Sequence, residues 1–197
     1  MCSWCWAFRP AHDYIIQHLP DHIDLHRLLG GLAPDTDEPM TADMRLYIQA
    51  HWHRIQTQVP GTRFNFAFWQ QCQPRRSTWP ACRAVIAARK QGEDQDDRMT
   101  LAIQQGYYLH SRNPSDTETL VDLAAEIGLD RDRFIQDLES TQTNDTLQEE
   151  IRKTRHLGIG GFPALLVDTG RKHVPVSIDY LRPESMLEEI TAICRSQ

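Results

Sequence analysis

The chain has 197 residues and a mass of 22.8 kDa, a length that suits one domain or one domain with a sizeable insertion. A hydrophobic fraction of 40% supplies a core, while a mean hydropathy of -0.54 and the lack of a long apolar run exclude a helical membrane span. The net charge of -6 argues against a general nucleic-acid or anionic-membrane surface.

Met1-Cys2-Ser3-Trp4-Cys5-Trp6 opens the chain with a C-x-x-C dithiol. Phe8, Ala11, Ile15, Ile16 and Leu19 then recur at helical spacing, predicting a helix from Cys5 to His18 that Pro20 closes and Pro10 kinks. Ile23 to Leu29 reads as a strand ended by Gly30-Gly31. From Met40 to Leu157 the pattern is almost wholly helical. The stripe Met44, Tyr47, Ile48, His51, Trp52 and Ile55 gives one helix, and an aromatic stretch of Phe64, Phe66, Phe68 and Trp69 follows. Further helices are expected near Ser77, over Asp96 to His110, after a Ser115-x-x-Glu118 capping box, after Asp130, and over Asn144 to Leu157. Ala164 to Asp168 reads as a buried strand, Val174 and Val176 as its partner, and Pro183 to Ile193 as a last helix. This order predicts a small α/β core, 1–39 with 158–197, interrupted by a helical insertion over 40–157.

Two thiols one helical turn apart can close a disulfide with each other or share a metal. A cysteine in the first turn of a helix faces unpaired backbone N–H groups and the positive end of the dipole, and both favour the thiolate that performs disulfide exchange. Cys2 is therefore the candidate attacking sulfur and Cys5, one turn further in, the candidate resolving one. Gly160-Gly161-Phe162-Pro163 precedes the Val/Leu strand; a cis bond at Pro163 would present the Phe162 backbone as a short edge for an extended substrate. Trp4 and Trp6, next to the thiols, are candidates for an apolar substrate groove. Cys82 among Ala81, Ala84 and Val85 reads as a buried structural thiol, and Cys194 as a lone thiol in the last helix. Cys72 with Cys82 has the wrong spacing to complete a compact zinc site with the dithiol, so no metal is assigned. Arg75-Arg76-Ser77 reads as a solvated loop, with an anion such as a glutathione carboxylate as the rival reading.

On Cys2-Ser3-Trp4-Cys5-Trp6, Leu29-Gly30-Gly31-Leu32, Ala81-Cys82-Arg83-Ala84-Val85, the segment Leu120 to Leu129 and Gly158-Ile159-Gly160-Gly161-Phe162-Pro163, the chain resembles the DsbA-like branch of the thioredoxin superfamily, more narrowly its FrnE-like members. Kappa-class glutathione transferases and 2-hydroxychromene-2-carboxylate isomerases are more distant relatives. The resemblance implies a thioredoxin-like α/β core with a large helical insertion and thiol–disulfide oxidoreductase or isomerase activity. Cys2 takes the family's nucleophile position, Cys5 the resolving position and Pro163 the cis-proline; Ser3 and Trp4 form the tuning dipeptide. Ser-Trp supplies no cation to stabilise a thiolate, so a milder potential is expected than in the strongly oxidising members.

The family's central strand lies upstream of the first cysteine, where this sequence has no residues, which would leave the central slot with unpaired backbone; the expectation is that the start is truncated or misassigned, the alternative being that the protein fills the slot another way. The rival functions are a glutathione-dependent transferase or isomerase of the kappa type and a non-catalytic thioredoxin-like binding module. No tightly bound cofactor is expected, with glutathione as a possible co-substrate. The expected partners are protein or small-molecule thiols and disulfides acting on a monomer or homodimer, without nucleic acid or membrane. Five cysteines are too few for a disulfide-stapled scaffold, and the N-terminus lacks a basic head before an apolar stretch, so a cytoplasmic, reducing location is expected.

Overall fold

The structure, a computed structural model, describes residues 1–195. Near the start of the chain the predicted single helix is two: α1 (Ser3–Ala7) and α2 (Arg9–His18), separated at Phe8. Pro10 lies in the first turn of α2, where its missing N–H costs nothing, and the chain bends just before it.

The helical block comprises α3 (Ala42–Gln58), the short α4 (Phe68–Gln71), α5 (Trp79–Arg89), α6 (Gln95–His110), α7 (Thr117–Glu126), α8 (Arg131–Glu139) and α9 (Thr141–His156). Side-chain caps fix three of the starts: Thr41 accepts from Met44, Asp130 from Arg133 and Ser140 from Thr143. The capping box at Ser115 does not form. The N-cap of α7 is Asp116, and the buried Ser115 hydroxyl donates instead to the Ser77 carbonyl at 3.0 Å, because a tertiary acceptor lies within its reach.

β1 (Leu165–Asp168) and β2 (His173–Val176) pair antiparallel, Leu165 opposite Val176 and Val167 opposite Val174. A two-stranded ribbon is marginal alone. It is held by α2 and α10 (Pro183–Arg195), which enclose Phe8, Ala11, Ile15, Val167, Val176, Met186 and Ile190 in one apolar cluster. Each fully buried aliphatic there contributes roughly 1.5–3 kcal/mol. A second cluster joins α5, α6, α7 and α8, and a third is aromatic and centres on the fully buried Trp52.

The strand expected over Ile23 to Leu29 is absent. The segment carries no regular secondary structure: a strand needs a partner ladder, and among the described residues the sheet holds β1 and β2 alone. Its backbone is tied down by side chains instead. The Leu29 amide donates to a Glu150 carboxylate oxygen at 2.7 Å, and Ala33 exchanges hydrogen bonds with Thr78. The expected unpaired slot is thus partly answered by α9. An ion-pair network fastens the segment further: Arg27 reaches Asp96, Arg89 bridges Asp96 and Glu150, and Arg9 forms a two-point pair with Asp97. Burial works to raise the Asp97 carboxyl, but the Arg9 hydrogen bond and charge outweigh it and hold the group below its usual range.

Candidate functional site

Cys2 is the N-cap of α1, in an extended conformation with φ -93° and ψ 115°, and its carbonyl accepts the first helical bonds from Cys5 and Trp6. Its sulfur lies 3.3 Å from the carbonyl oxygen of Phe162. The Phe162–Pro163 peptide is cis. The two segments that the sequence singled out, 160 positions apart, therefore meet sulfur to carbonyl.

The two thiols are inequivalent. Cys2 is lowered to about 6, chiefly by a hydrogen bond from the Cys5 thiol, aided by the backbone amides of Cys5 and Trp4 and opposed by burial. Cys5 moves the other way, well above the ordinary thiol range, because its proton is held by that hydrogen bond and its sulfur is buried. Cys2 can donate to the Phe162 carbonyl only as a thiol. Ionised, it accepts from Cys5 and the amides, which frees that carbonyl to accept from another backbone.

Ser3 and Trp4 diverge. The Ser3 hydroxyl accepts from Trp52 Nε1 at 3.0 Å, tying the turn between the thiols to the core of the helical block. Trp4 packs against Tyr180 with ring centroids 5.3 Å apart and forms one wall of a groove of about 510 Å³ beside Cys2, together with Val59, Phe162, Tyr180 and Leu181. Trp6 turns away from the groove. It stacks on Tyr108 at 5.7 Å and donates to the Arg63 carbonyl, so its surroundings are the aromatic core.

Three positioning residues carry no local sequence signal. Trp52 reads as one member of an amphipathic stripe, Tyr108 falls within an expected helix, and nothing in the sequence singles out Tyr180. Gly30 is a fourth. A Cβ there would lie 1.9 Å from Phe162 Cζ, so the ring of Phe162 rests on the bare backbone at Gly30. Gly30→Ala is expected to push the Phe162 ring and its carbonyl away from Cys2, slowing exchange about tenfold with only a small loss of stability. Steady-state rates beside a thermal melt test this; an unchanged rate removes Gly30 from the site.

The other cysteines are separate from this pair. Cys82 packs with Leu29, Trp79 and Ile86, and burial pushes its thiol up to about 11. Cys72 donates to the Ser111 carbonyl at 2.9 Å, and Cys194 lies against the cluster around α2 and α10. Arg75 pairs with Asp116 at 2.6 Å rather than standing free for an anion. Among the described residues no group of three or more His, Cys, Asp or Glu is placed to hold a metal ion, and no helix is long and apolar enough to cross a membrane.

A dithiol at a helix start, a facing cis-proline turn and a helical block inserted into a small α/β core describe a thioredoxin-like fold of the DsbA type. The chain belongs to the thioredoxin family, whose model matches residues 1–189. A candidate protein disulfide isomerase from Nitrosomonas europaea superposes with a TM-score of 0.85 at 27% identity, covering 100% of this chain and 94% of that one. The cytosolic disulfide reductase DsbM from Pseudomonas aeruginosa, solved also with GSH, superposes with a TM-score of 0.79 at 21% identity, covering 100% of this chain and 96% of that one. The ClpXP adapter protein SpxH of Bacillus subtilis is 23% identical over 96% of this chain, which spans 64% of that relative's length.

Proposed function

We propose that the protein is a dithiol–disulfide oxidoreductase in which Cys2 attacks and Cys5 resolves. The observation that carries this reading is the Cys2 sulfur, 3.3 Å from the Phe162 carbonyl, with its proton affinity lowered to about 6 while that of Cys5 is raised. The Cys2 thiolate attacks a substrate disulfide; the substrate S–S bond breaks, a Cys2–substrate bond forms, and the departing thiolate takes up a proton. Cys5 then gives up its proton and attacks the Cys2 sulfur, expelling the second substrate thiol. Two electrons have passed from the protein to the substrate, and a thiol such as glutathione restores the dithiol. Phe162 and Pro163 hold the substrate backbone while Trp4 meets its apolar side; a reducing, cytoplasmic setting fits this direction of flow.

The pH dependence tests it. The nucleophile is the ionised form, so attack should be flat above about pH 7 and fall tenfold per unit below about 6. A folded-state value below the roughly 8.5 of an unfolded thiol means that Cys2 ionisation stabilises the reduced fold. That contribution is fully present above about pH 8.5 and is lost as pH falls through about 6. Alkylation rates and the thiolate absorbance of wild type against Cys2→Ser measure both; a midpoint near 8.5 removes the activated nucleophile.

The likeness to SpxH favours a second reading, in which the groove holds a peptide and passes it on without exchange. In that case the dithiol would titrate without any effect on peptide binding, and no covalent adduct would form.

A further inference from the structure

The groove beside Cys2 holds two charged side chains within apolar walls, Arg54 of α3 and Asp179. Asp179 is already engaged: its carboxylate accepts from the backbone amides of Leu181 and Arg182 at 3.0 and 2.9 Å and from Arg182 Nε at 3.0 Å. These contacts, first the Leu181 amide, hold it below the usual carboxylate range. Arg54 is exposed, and its guanidinium has neither a hydrogen bond nor an ion pair among the described residues. Arg9, Arg75, Arg83 and Arg89 are all paired with carboxylates. On a chain of net charge -6, the uncommitted charge at this groove is therefore positive.

We propose that Arg54 makes the groove selective for disulfides that carry a carboxylate, with the apolar part of the substrate on Trp4 and Tyr180 and its reacting sulfur at Cys2. This rests on the exchange reading above and names its substrate class. A guanidinium presents two parallel N–H donors that match a carboxylate in a bidentate pair. Neutral disulfides find the same apolar wall without the ion pair, and cationic ones meet like charge. The covalent steps are unchanged: the substrate S–S bond breaks on attack by Cys2, its first half leaves as a thiol, and Cys5 releases the carboxylate-bearing half while the protein dithiol is oxidised. A thiol pool supplies the returning electrons.

The full chain, reduced, is mixed with dithiodipropionate, hydroxyethyl disulfide and cystamine, and the oxidation rate of its dithiol is followed. The dianion is expected to react roughly twofold to fivefold faster than the neutral compound, and the dication slower still, a ratio that shrinks with added salt. In Arg54→Gln the anionic-to-neutral ratio should fall to near one, and Arg54→Lys should restore part of it. A peptide disulfide with glutamate or glutamine beside its cysteine separates the sources: a glutamate preference points to acidic protein segments, and its absence restricts the site to small carboxylates. An equal ratio in wild type and Arg54→Gln overturns the proposal while leaving exchange intact. Failure of wild type to reduce any of the disulfides overturns the exchange reading and this proposal with it.

Discussion

Replacing Cys5 with serine is expected to stop turnover and to leave Cys2 covalently joined to substrate. The serine hydroxyl still reaches Cys2 and can donate to its thiolate, so the first attack survives. It cannot attack a sulfur, so the mixed disulfide accumulates and the intact mass rises by one substrate half. Turnover should drop by two to three orders of magnitude, and Cys2→Ser should abolish both turnover and adduct. A kappa-type transferase would keep its rate without Cys5, and a pure binding module would give no adduct in either variant. The same asymmetry sets the potential. Lowering the Cys2 thiol stabilises the reduced dithiol and shifts the pair toward the oxidising side of one built on an ordinary thiol. Equilibration with glutathione buffers, read by alkylation and mass, tests the direction.

Features encoded over a few residues were legible in the sequence. The dithiol spacing and Gly160 to Pro163 identified two halves of a site, and hydrophobic period with caps located the helices, α8 by Asp130 among them. What failed depends on distant partners. Ile23 to Leu29 has the composition of a strand, but composition cannot report whether a ladder stands beside it. Ser115 has the spacing of a capping box, but the Ser77 carbonyl outcompetes the helix end. Trp6 is adjacent to Cys5 in sequence yet belongs to the core, because the two helical steps between Trp4 and Trp6 put them on opposite sides of α1, Trp6 toward Tyr108 and Trp4 toward Tyr180. Arg54 matters for the partner it lacks, and that is a property of the folded surface alone.

Removing the carboxylate of Glu150 is expected to be the most destabilising single polar change. That buried side chain accepts the Leu29 amide at 2.7 Å and the Arg89 guanidinium at 2.6 Å, and so substitutes for a ladder bond in a segment that has no neighbouring strand among the described residues. Glu150→Leu leaves a backbone N–H without its acceptor and a half-buried cation short of one partner, a cost of about 3–5 kcal/mol. For a chain of this size that lowers Tm by roughly 6–20 °C. Glu150→Gln keeps an acceptor for Leu29 and should cost about half as much. Asp35→Ala, which breaks a two-point but exposed pair with Arg83, should cost under about 1 kcal/mol. If Glu150→Leu melts like Asp35→Ala, the segment is held by Leu29 packing instead. The functional consequence follows from the chain itself: Leu29 leads directly into Gly30, on which the Phe162 ring rests, and Phe162 carries the carbonyl facing Cys2. Loosening Glu150 should therefore slow disulfide exchange at temperatures where the protein is still folded, linking a carboxylate on α9 to the sulfur at the start of α1.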